Sequence, residues 1–361
     1  MKRISVKALV PGMRTAEDVY SYDKQLILPR GIKLSDRSIT RLEFYSVVSV
    51  KVEDDELSAN VAELQVNEAP SYSERVQSSK EFQAFTAQFG ESVTEFKGSL
   101  NDIVANNADI DTDALLHHTV DLLNSDAGKS INIFTIIQNM RSFDDQTFTH
   151  SMNVALICHV FAGWLHFSEE DIKLATLCGL LHDIGKLKIP DDLLSKTDKL
   201  TDEEYKLIKT HTTEGYDILK KQGLDEHICN AALMHHERCD GTGYPNGLTA
   251  DQIDKFAKLV AIADVYDAMT SARVYRGPLC PFKAIDLFVS EGLQRYDTQY
   301  YLTFVTNIVN SYLRNRVRLS NGMEGEIVYV NSNDLARPMI QCGEKFIDLS
   351  KEKNISIDAI I

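Results

Sequence analysis

The sequence lacks several features, and each absence removes a class of protein. It has no uninterrupted run of about 18 apolar residues, and residues 1–7 have no apolar core of the kind that a secretion signal carries. The six cysteines are scattered without a CxxC pair, which argues against a zinc knuckle and against a disulfide framework. We therefore expect a cytoplasmic protein that does not enter a membrane.

Positive charge is also scarce. The 38 basic and 53 acidic residues give a net charge of −15, which disfavours wrapping a polyanion such as DNA. A small anionic ligand stays compatible with this charge, because its pocket needs only a few local cations.

The composition itself is that of a folded globular protein, and the hydrophobic patterns predict a mainly α fold. The 361 residues, 43% hydrophobic and 25% charged, favour two or three domains. The expected order is a small N-terminal α+β module at 1–53, a polar linker at 54–79, a helical connecting or dimerisation segment at 80–126, a main helical domain at 127–315 and a small β-rich C-terminal module at 316–361.

An apolar stripe runs through the segment 80–126. Its members recur at steps of three or four residues, which is typical of an amphipathic helix or helix pair: Phe82, Phe85, Phe89, Val93, Phe96, Leu100 and Ile103. The stripe is expected to be buried packing, either on the core of the chain or on a second copy of it. A homodimer through residues 80–126 is therefore one interpretation.

Histidines and aspartates cluster in short patches of the main helical domain. Five histidines and two aspartates supply seven side chains that suit a metal: His150, His182, Asp183, His211, His235, His236 and Asp264. His150 begins a helix with an apolar face, so its ring is expected to point inward. The segment 172–181 is almost wholly apolar and ends in His182 and Asp183, just before Gly185, a predicted helix stop. An unpaired Asp carboxylate in such an interior pocket costs several kcal/mol, which a bound cation offsets.

The mixture of imidazole and carboxylate suits iron, manganese, zinc or nickel rather than calcium. Seven ligands are more than one four- to six-coordinate ion needs, so two metals fit better than one. Asp183 is the natural bridge, because each of its oxygens can meet a different ion. Two ions about 3.5 to 4 Å apart can activate a shared water for hydrolysis of a phosphodiester.

Three runs of sequence resemble the HD-GYP phosphodiesterases, a family of bacterial enzymes within the HD superfamily of metal-dependent phosphohydrolases. They are the His-Asp-Ile-Gly-Lys run at 182–186, the run from His235 to Pro245 and the Ile-Ala-Asp-Val-Tyr-Asp run that begins at 262. The resemblance is close over residues 147–276 and loose to about 314. It implies an HD-type helical bundle and two divalent metals, iron or manganese. One metal would be held by His150, His182, Asp183 and Asp264, the other by Asp183, His211, His235 and His236.

The resemblance also implies residues on the substrate side. Lys186 would meet the phosphate or the departing oxygen, and Arg273 and Arg276 would contact substrate phosphates. In the loop formed by Gly243, Tyr244 and Pro245, glycine permits tight backbone geometry, proline stiffens the chain and the tyrosine ring can stack on a base. A merely structural turn is the alternative for this loop.

One position departs from the family pattern. Some members hold a third metal with a glutamate one helical turn before the first histidine, where this chain has Gln146. An amide is a poorer ligand than a carboxylate, so a binuclear site is expected. Asp144 and Asp145 nearby leave a third site open.

The function that these features favour is hydrolysis of cyclic di-GMP to linear pGpG, with Asp183 and Lys186 at the reacting centre; further hydrolysis to GMP stays open. Cleavage of the mixed cyclic GMP-AMP dinucleotide is the nearest alternative. A receptor that binds a cyclic dinucleotide and signals to a partner through the terminal modules is another. A general HD-type nucleotide phosphohydrolase is the third.

Overall fold

The structure, a computed structural model, describes most of the chain. The described residues are 2–6, 9–20, 26–35, 38–39, 41–42, 45, 47, 49–53, 72–106, 108–140, 146–194, 196, 200–270, 280–292 and 294–361.

The N-terminal part is built from short antiparallel strand pairs. Strand β1 (Lys2–Ser5) pairs with β4 (Ser49–Val52), and β2 (Val19–Tyr20) pairs with β3 (Leu26–Leu28). Ile27, Val50 and Val52 are buried, and so are Ile39 and Leu42 of the intervening segment. These residues belong to the same continuous apolar cluster as the buried residues of the helices.

Helices follow from residue 72 to residue 311. Before the central bundle lie α1 (Tyr72–Ser78), α2 (Lys80–Asn106), α3 (Thr112–Asn124), α4 (Asp126–Ser130) and α5 (Ile133–Asn139). The bundle and its connections contain α6 (Gln146–Trp164), α7 (Glu169–Leu181), a 3₁₀ helix (Ile184–Lys188), α8 (Asp191–Leu194), α9 (Asp202–Lys209), α10 (His211–Lys221), α11 (Glu226–Met234) and α12 (Lys255–Thr270). Helices α13 (Pro281–Gly292) and α14 (Thr298–Ser311) complete the series.

Helix α1 corrects part of the expected linker. Residues 72–78 form a helix although their sequence is polar, because Val76 is buried and the Gln77 side chain donates a hydrogen bond of 3.1 Å to the backbone oxygen of Asn139. Residues 54–71 of the expected linker lie outside the described residues.

The apolar stripe of α2 is buried along its whole length, as expected for packing. Its residues face α3 and α6 of the same chain, and the Phe96 ring meets the edge of the Phe148 ring at a centroid distance of 6.0 Å. The stripe is therefore occupied within the chain.

Helices α6, α7, α11 and α12 pack against one another at the centre of the molecule. Almost every described residue of α12 from Phe256 to Thr270 is buried, and so is α7 from Ala175 onward. Both helices are apolar on all sides, which is typical of helices that are enclosed by others. Any polar side chain in this layer is consequently removed from water.

The chain ends in a five-stranded antiparallel sheet in the order β8-β7-β6-β5-β9. The strands are β5 (Arg316–Leu319), β6 (Glu324–Tyr329), β7 (Met339–Cys342), β8 (Lys345–Asp348) and β9 (Ile357–Ile360). Val317, Ile327 and Ile340 form its buried face, and Lys283 of α13 pairs with Asp358 of β9 at 3.2 Å. The fold class read from the sequence, helical with a small β-rich tail, is confirmed. Within the described residues, no helix is long and apolar enough to span a bilayer.

Phe89 tests the packing of α2. Its side chain is fully buried, so Phe89→Ala is expected to lower the free energy of unfolding by about 3 to 5 kcal/mol through lost burial and an internal cavity. Phe346→Ala is the matched control, because the Phe346 side chain is 62% exposed and should change stability little. Denaturant unfolding followed by circular dichroism measures both, and equal stability of the two variants would contradict the packing described here.

Candidate metal centre

His182 and Asp183 lie where α7 ends and the 3₁₀ helix begins. His182 is the C-cap of α7, and Asp183 precedes the 3₁₀ helix Ile184–Lys188. Gly185 is not the helix stop that the sequence predicts. It lies inside the 3₁₀ helix, and a Cβ atom there would come within 1.9 Å of the backbone oxygen of His211. Glycine is needed at this position because the 3₁₀ helix packs backbone to backbone on the first turn of α10.

The other predicted ligands come from the ends or the inner faces of separate helices. His150 lies in the first turns of α6, His211 begins α10, His235 and His236 follow α11, and Asp264 is in the middle of α12. His182, Asp183, His211 and His235 are each at most 2% exposed.

The structure brings all seven side chains together. His211, His235 and His236 form one group, and His150, His182 and Asp264 form a second. Within each group the atoms that can bind a metal lie within 4.8 Å of one another.

Asp183 lies between these two groups and turns one oxygen toward each. Its Oδ2 is 3.3 Å from Nε2 of His182 and 3.9 Å from Nε2 of His150. Its Oδ1 is 3.5 Å from Nε2 of His211 and 3.7 Å from Nε2 of His235. A single buried carboxylate thus has an oxygen available to each group.

Three of the histidine rings are oriented by backbone carbonyls. Nδ1 of His182 bonds to the oxygen of Gly179 at 2.7 Å, Nδ1 of His211 to that of Ile208 at 2.7 Å, and Nδ1 of His235 to that of Ala232 at 2.9 Å. A carbonyl only accepts, so each Nδ1 carries the proton. In the neutral ring Nε2 then presents a lone pair to the centre of the site, as metal-binding histidines do.

These lone pairs have no donor to accept from. Nε2 of His211 and Nε2 of His235 face each other at 3.3 Å, although neither carries a proton in the neutral ring. Burial lowers the pKa of His211 to about 4, and burial with the neighbouring His182 lowers that of His235, so both rings stay neutral. Nε2 of His182 and Oδ1 of Asp183 are buried without a hydrogen-bond partner among the described residues. A cation at this place would satisfy all of these atoms, so the donor set fits a divalent metal.

Asp267 is a residue of the site that the sequence analysis did not assign. It is 2% exposed, and its Oδ2 lies 2.7 Å from Nδ1 of His150, whose Nε2 is 3.0 Å from Oδ1 of Asp264. Burial alone would lower the pKa of His150, but the hydrogen bonds to Asp264 and Asp267 raise it to about 10. The signal in the sequence is the spacing of three residues, which places Asp264 and Asp267 on the same face of α12.

Lys186 follows Asp183 by one turn of the 3₁₀ helix and donates a hydrogen bond to its Oδ2. Burial would raise the pKa of Asp183, yet the Lys186 ammonium and His182 hold it well below its usual range. The carboxylate is therefore ionised, as a metal ligand must be. The Lys186 side chain is 26% exposed, so a bound anion can reach it.

The loop after His236 is held against the site by Glu237. This side chain is 2% exposed, and its two oxygens accept the backbone N–H groups of Asn246 and Leu248 at 2.7 and 2.9 Å. The loop passes so close that a Cβ atom on Gly243 would lie 2.4 Å from Cα of Glu237. Tyr244 consequently stacks on the His236 ring, with centroids 4.7 Å apart and planes at 27°. Only glycine fits at position 243, which agrees with the predicted tight geometry of this loop.

Some expected site residues are not described. Arg273 and Arg276 lie outside the described residues, as do Asp144 and Asp145, and the side chain of Gln146 is not described although its backbone begins α6. Pro245 follows Tyr244 in the loop and is exposed.

A family model described as an HD domain matches residues 136–300, the segment that contains all seven side chains. Residues 136–300 are therefore similar to an HD domain. The resemblance to the HD-GYP family is confirmed by this match together with the relatives described next.

Two relatives illustrate what this HD domain is similar to. A cyclic di-GMP phosphodiesterase of Pseudomonas aeruginosa is 33% identical over 62% of this chain and 54% of its own length. A 3'3'-cGAMP-specific phosphodiesterase of Vibrio cholerae is 39% identical over 46% of this chain and 39% of its own length. The chain therefore spans about half or less of the length of these relatives.

Among solved structures, an HDG"Y"P protein of Bdellovibrio bacteriovorus has the same fold. It matches with a TM-score of 0.51 and 20% sequence identity over 86% of this chain and 99% of the other. At this identity the likeness concerns the fold alone. An HD domain implies binding of a divalent metal, and the histidine and aspartate cluster of this chain offers the ligands for it.

Asp183→Asn tests the shared position of this carboxylate. The variant keeps the size of the side chain but loses the charge and one good ligand oxygen, so binding of metal to both groups should weaken at least about tenfold. His211→Gln removes a ligand from one group only and should leave the other metal bound. Metal content per chain after dialysis against Mn²⁺, measured by mass spectrometry, compares the two variants.

Asp217→Asn is the matched control for this test, because Asp217 is exposed on α10. A full metal content in Asp183→Asn, equal to that of the control, would contradict the bridging arrangement.

Asp267→Asn tests whether the hydrogen bond to His150 orients a ligand. The neutral amide supports the imidazole less strongly, so metal affinity should fall about 10- to 100-fold while the fold is retained. Asp254→Asn is the matched control, because Asp254 makes the same kind of bond, 2.6 Å from Oδ2 to Nδ1 of His227, away from the metal centre. Titration with Mn²⁺ distinguishes the variants, and equal affinities would rule out an orienting role for Asp267.

Proposed function

We propose that this chain hydrolyses cyclic di-GMP to linear pGpG with two divalent metals held by the seven clustered side chains. The observation that carries the proposal is the position of Asp183, whose two oxygens face two different groups of ligands at 3.3 to 3.9 Å. A site for a single metal would not need a carboxylate between two groups of ligands.

The ligands divide as the two groups do. One metal would be held by His150, His182 and Asp264. The other would be held by His211, His235 and His236, and Asp183 would contribute to both sites. Metals bound there would supply Lewis acidity to a phosphodiester and lower the pKa of a water molecule. We propose iron or manganese on the family resemblance, because mixed imidazole and carboxylate ligands also suit zinc and nickel.

The chain's own residues prepare the site for an anionic substrate. Lys186 keeps Asp183 ionised and presents an ammonium beside it, where it would neutralise a phosphate oxygen or the departing oxygen. Tyr244 offers one ring at the edge of the ligand cluster, on which a purine base can stack. Gly243 and Pro245 belong to the loop that positions this ring. We propose Arg273 and Arg276 as further phosphate contacts on the resemblance alone.

The proposed substrate class rests on the relatives. Each of the two relatives described above is named as an enzyme that cleaves a cyclic dinucleotide, one cyclic di-GMP and the other 3'3'-cGAMP. Because the chain spans only part of these proteins, the substrate is part of the proposal. Cyclic GMP-AMP is the second candidate, since a relative named for its cleavage matches this chain at 39% identity.

The organisation of the chain enters the proposal as well. Residues 127–315 would be the catalytic unit, 80–126 its connecting segment, and 1–53 and 316–361 terminal modules that meet a signalling partner. A homodimer through 80–126 and a cytoplasmic location stay predictions. Such a dimer would have to use a face of α2 other than the apolar stripe, which is buried within the chain.

The deciding experiment is turnover by purified full-length chain. The protein is stripped of metal with a chelator, reloaded anaerobically with Fe²⁺ or Mn²⁺, and incubated separately with cyclic di-GMP and cyclic GMP-AMP while products are followed by chromatography. We expect hydrolysis only after reloading, and at least a thousandfold lower rate in Asp183→Asn. Binding of a cyclic dinucleotide without turnover in the reloaded protein would favour the receptor, and turnover of neither dinucleotide with cleavage of mononucleotides would favour a general phosphohydrolase.

A further inference from the structure

We propose that Lys209 is a further substrate-binding residue, which binds the phosphate of the cyclic dinucleotide that is not being cleaved. This inference rests on the proposed function and extends it to a residue that the family resemblance did not assign. It follows from the position of the Lys209 ammonium at the edge of the ligand cluster and from the contacts that hold it there.

Lys209 is held between two tyrosine rings. It is the last residue of α9, two positions before the ligand His211, and its side chain is half-buried. The ammonium lies 4.9 Å from the centroid of the Tyr205 ring, one helical turn earlier, and 5.4 Å from that of the Tyr244 ring. Tyr244 in turn stacks on His236 at 4.7 Å, so two ring contacts connect the ammonium to the ligand cluster.

The other described cations beside the site have partners of their own. Lys186 is bonded to Asp183, and the Arg238 guanidinium donates to the backbone oxygens of His235 and Glu237 and lies over the Tyr296 ring. Lys209 pairs with no carboxylate of the described residues within ion-pair distance. Its positive charge is thus held in place by aromatic faces, which attract a cation without neutralising it.

A cyclic dinucleotide requires such a charge. It carries two phosphodiester groups, and Lys186 beside Asp183 is placed for the one that reacts. The second phosphate must bind elsewhere on the protein. Because the net charge of the chain is −15, an ammonium without an acidic partner is a favourable place for it. Because Lys209 contacts the ring of Tyr244, which stacks on the ligand His236, its ammonium lies at the edge of the site, where the phosphate next to the reacting one would bind.

The test compares Lys209→Gln with Lys206→Gln in the full-length, metal-loaded chain. Lys206 lies on the same helix but is exposed, so it controls for loss of a lysine charge from α9. On cyclic di-GMP we expect Lys209→Gln to raise KM about tenfold and to change kcat less than about twofold, the loss of one charge-assisted hydrogen bond to a phosphate. Lys206→Gln should behave as the unchanged protein, and Lys209→Arg should recover most of the affinity.

A substrate with a single phosphodiester separates a binding role from a structural one. Bis(p-nitrophenyl) phosphate has no second phosphate, so Lys209→Gln should cleave it as fast as the unchanged protein does. An unchanged KM for cyclic di-GMP overturns the inference, and so does an equal loss on both substrates, which would mean that the substitution disturbs the metal centre.

Calorimetric binding distinguishes a failure of this inference from a failure of the proposed function. If the metal-loaded chain binds cyclic di-GMP without cleaving it, the proposed hydrolysis fails, and a tenfold higher Kd in Lys209→Gln still supports the role of Lys209. If the unchanged chain neither binds nor cleaves a cyclic dinucleotide, both are overturned.

Discussion

The ionised carboxylate of Asp183, buried at the centre of a helical bundle, is the interaction on which the rest of the structure depends. A charge in such a place costs several kcal/mol unless it is compensated, and here the compensation is asymmetric. Lys186 neutralises one oxygen, while the other is left without a hydrogen-bond partner among the described residues. The surrounding helices supply imidazole lone pairs, which repel a carboxylate and attract only a cation. A bound metal would therefore stabilise the arrangement.

The fold meets this requirement by bringing helix ends to one point. His182, His211 and His235 each lie at the boundary of a helix, whereas His150 and Asp264 project from the inner faces of α6 and α12. Gly185 permits the close approach of the 3₁₀ helix to α10 that sets the distance between two of these boundaries. Glu237 then fixes the neighbouring loop, so the aromatic edge of the site is positioned by a buried carboxylate as well.

Much of the fold and of the candidate site could be predicted from the sequence. The features that could not be predicted depend on contacts between distant parts of the chain. The seven clustered side chains, the apolar stripe of α2 and the β-rich tail follow from residue type and periodicity, which depend on local order along the chain. The role of Gly185 does not, because its neighbour His211 is 26 positions away and only packing brings the two together. Asp267 and Lys209 were likewise overlooked, since one acts through His150 and the other through two rings that the sequence does not connect. The polarity of residues 72–78 predicts a linker, but the structure forms a helix there, in which Val76 is buried and Gln77 bonds to the backbone of Asn139.

The hydrogen bonds from the histidine rings to backbone oxygens have a second effect. Gly179, Ile208 and Ala232 lie in the last turns of α7, α9 and α11, where carbonyl groups commonly need partners from outside the helix. Each ring therefore closes the end of a helix with one nitrogen and offers the other to the metal. A bound ion would therefore hold these rings from the other side, and by doing so would also stabilise the ends of three helices.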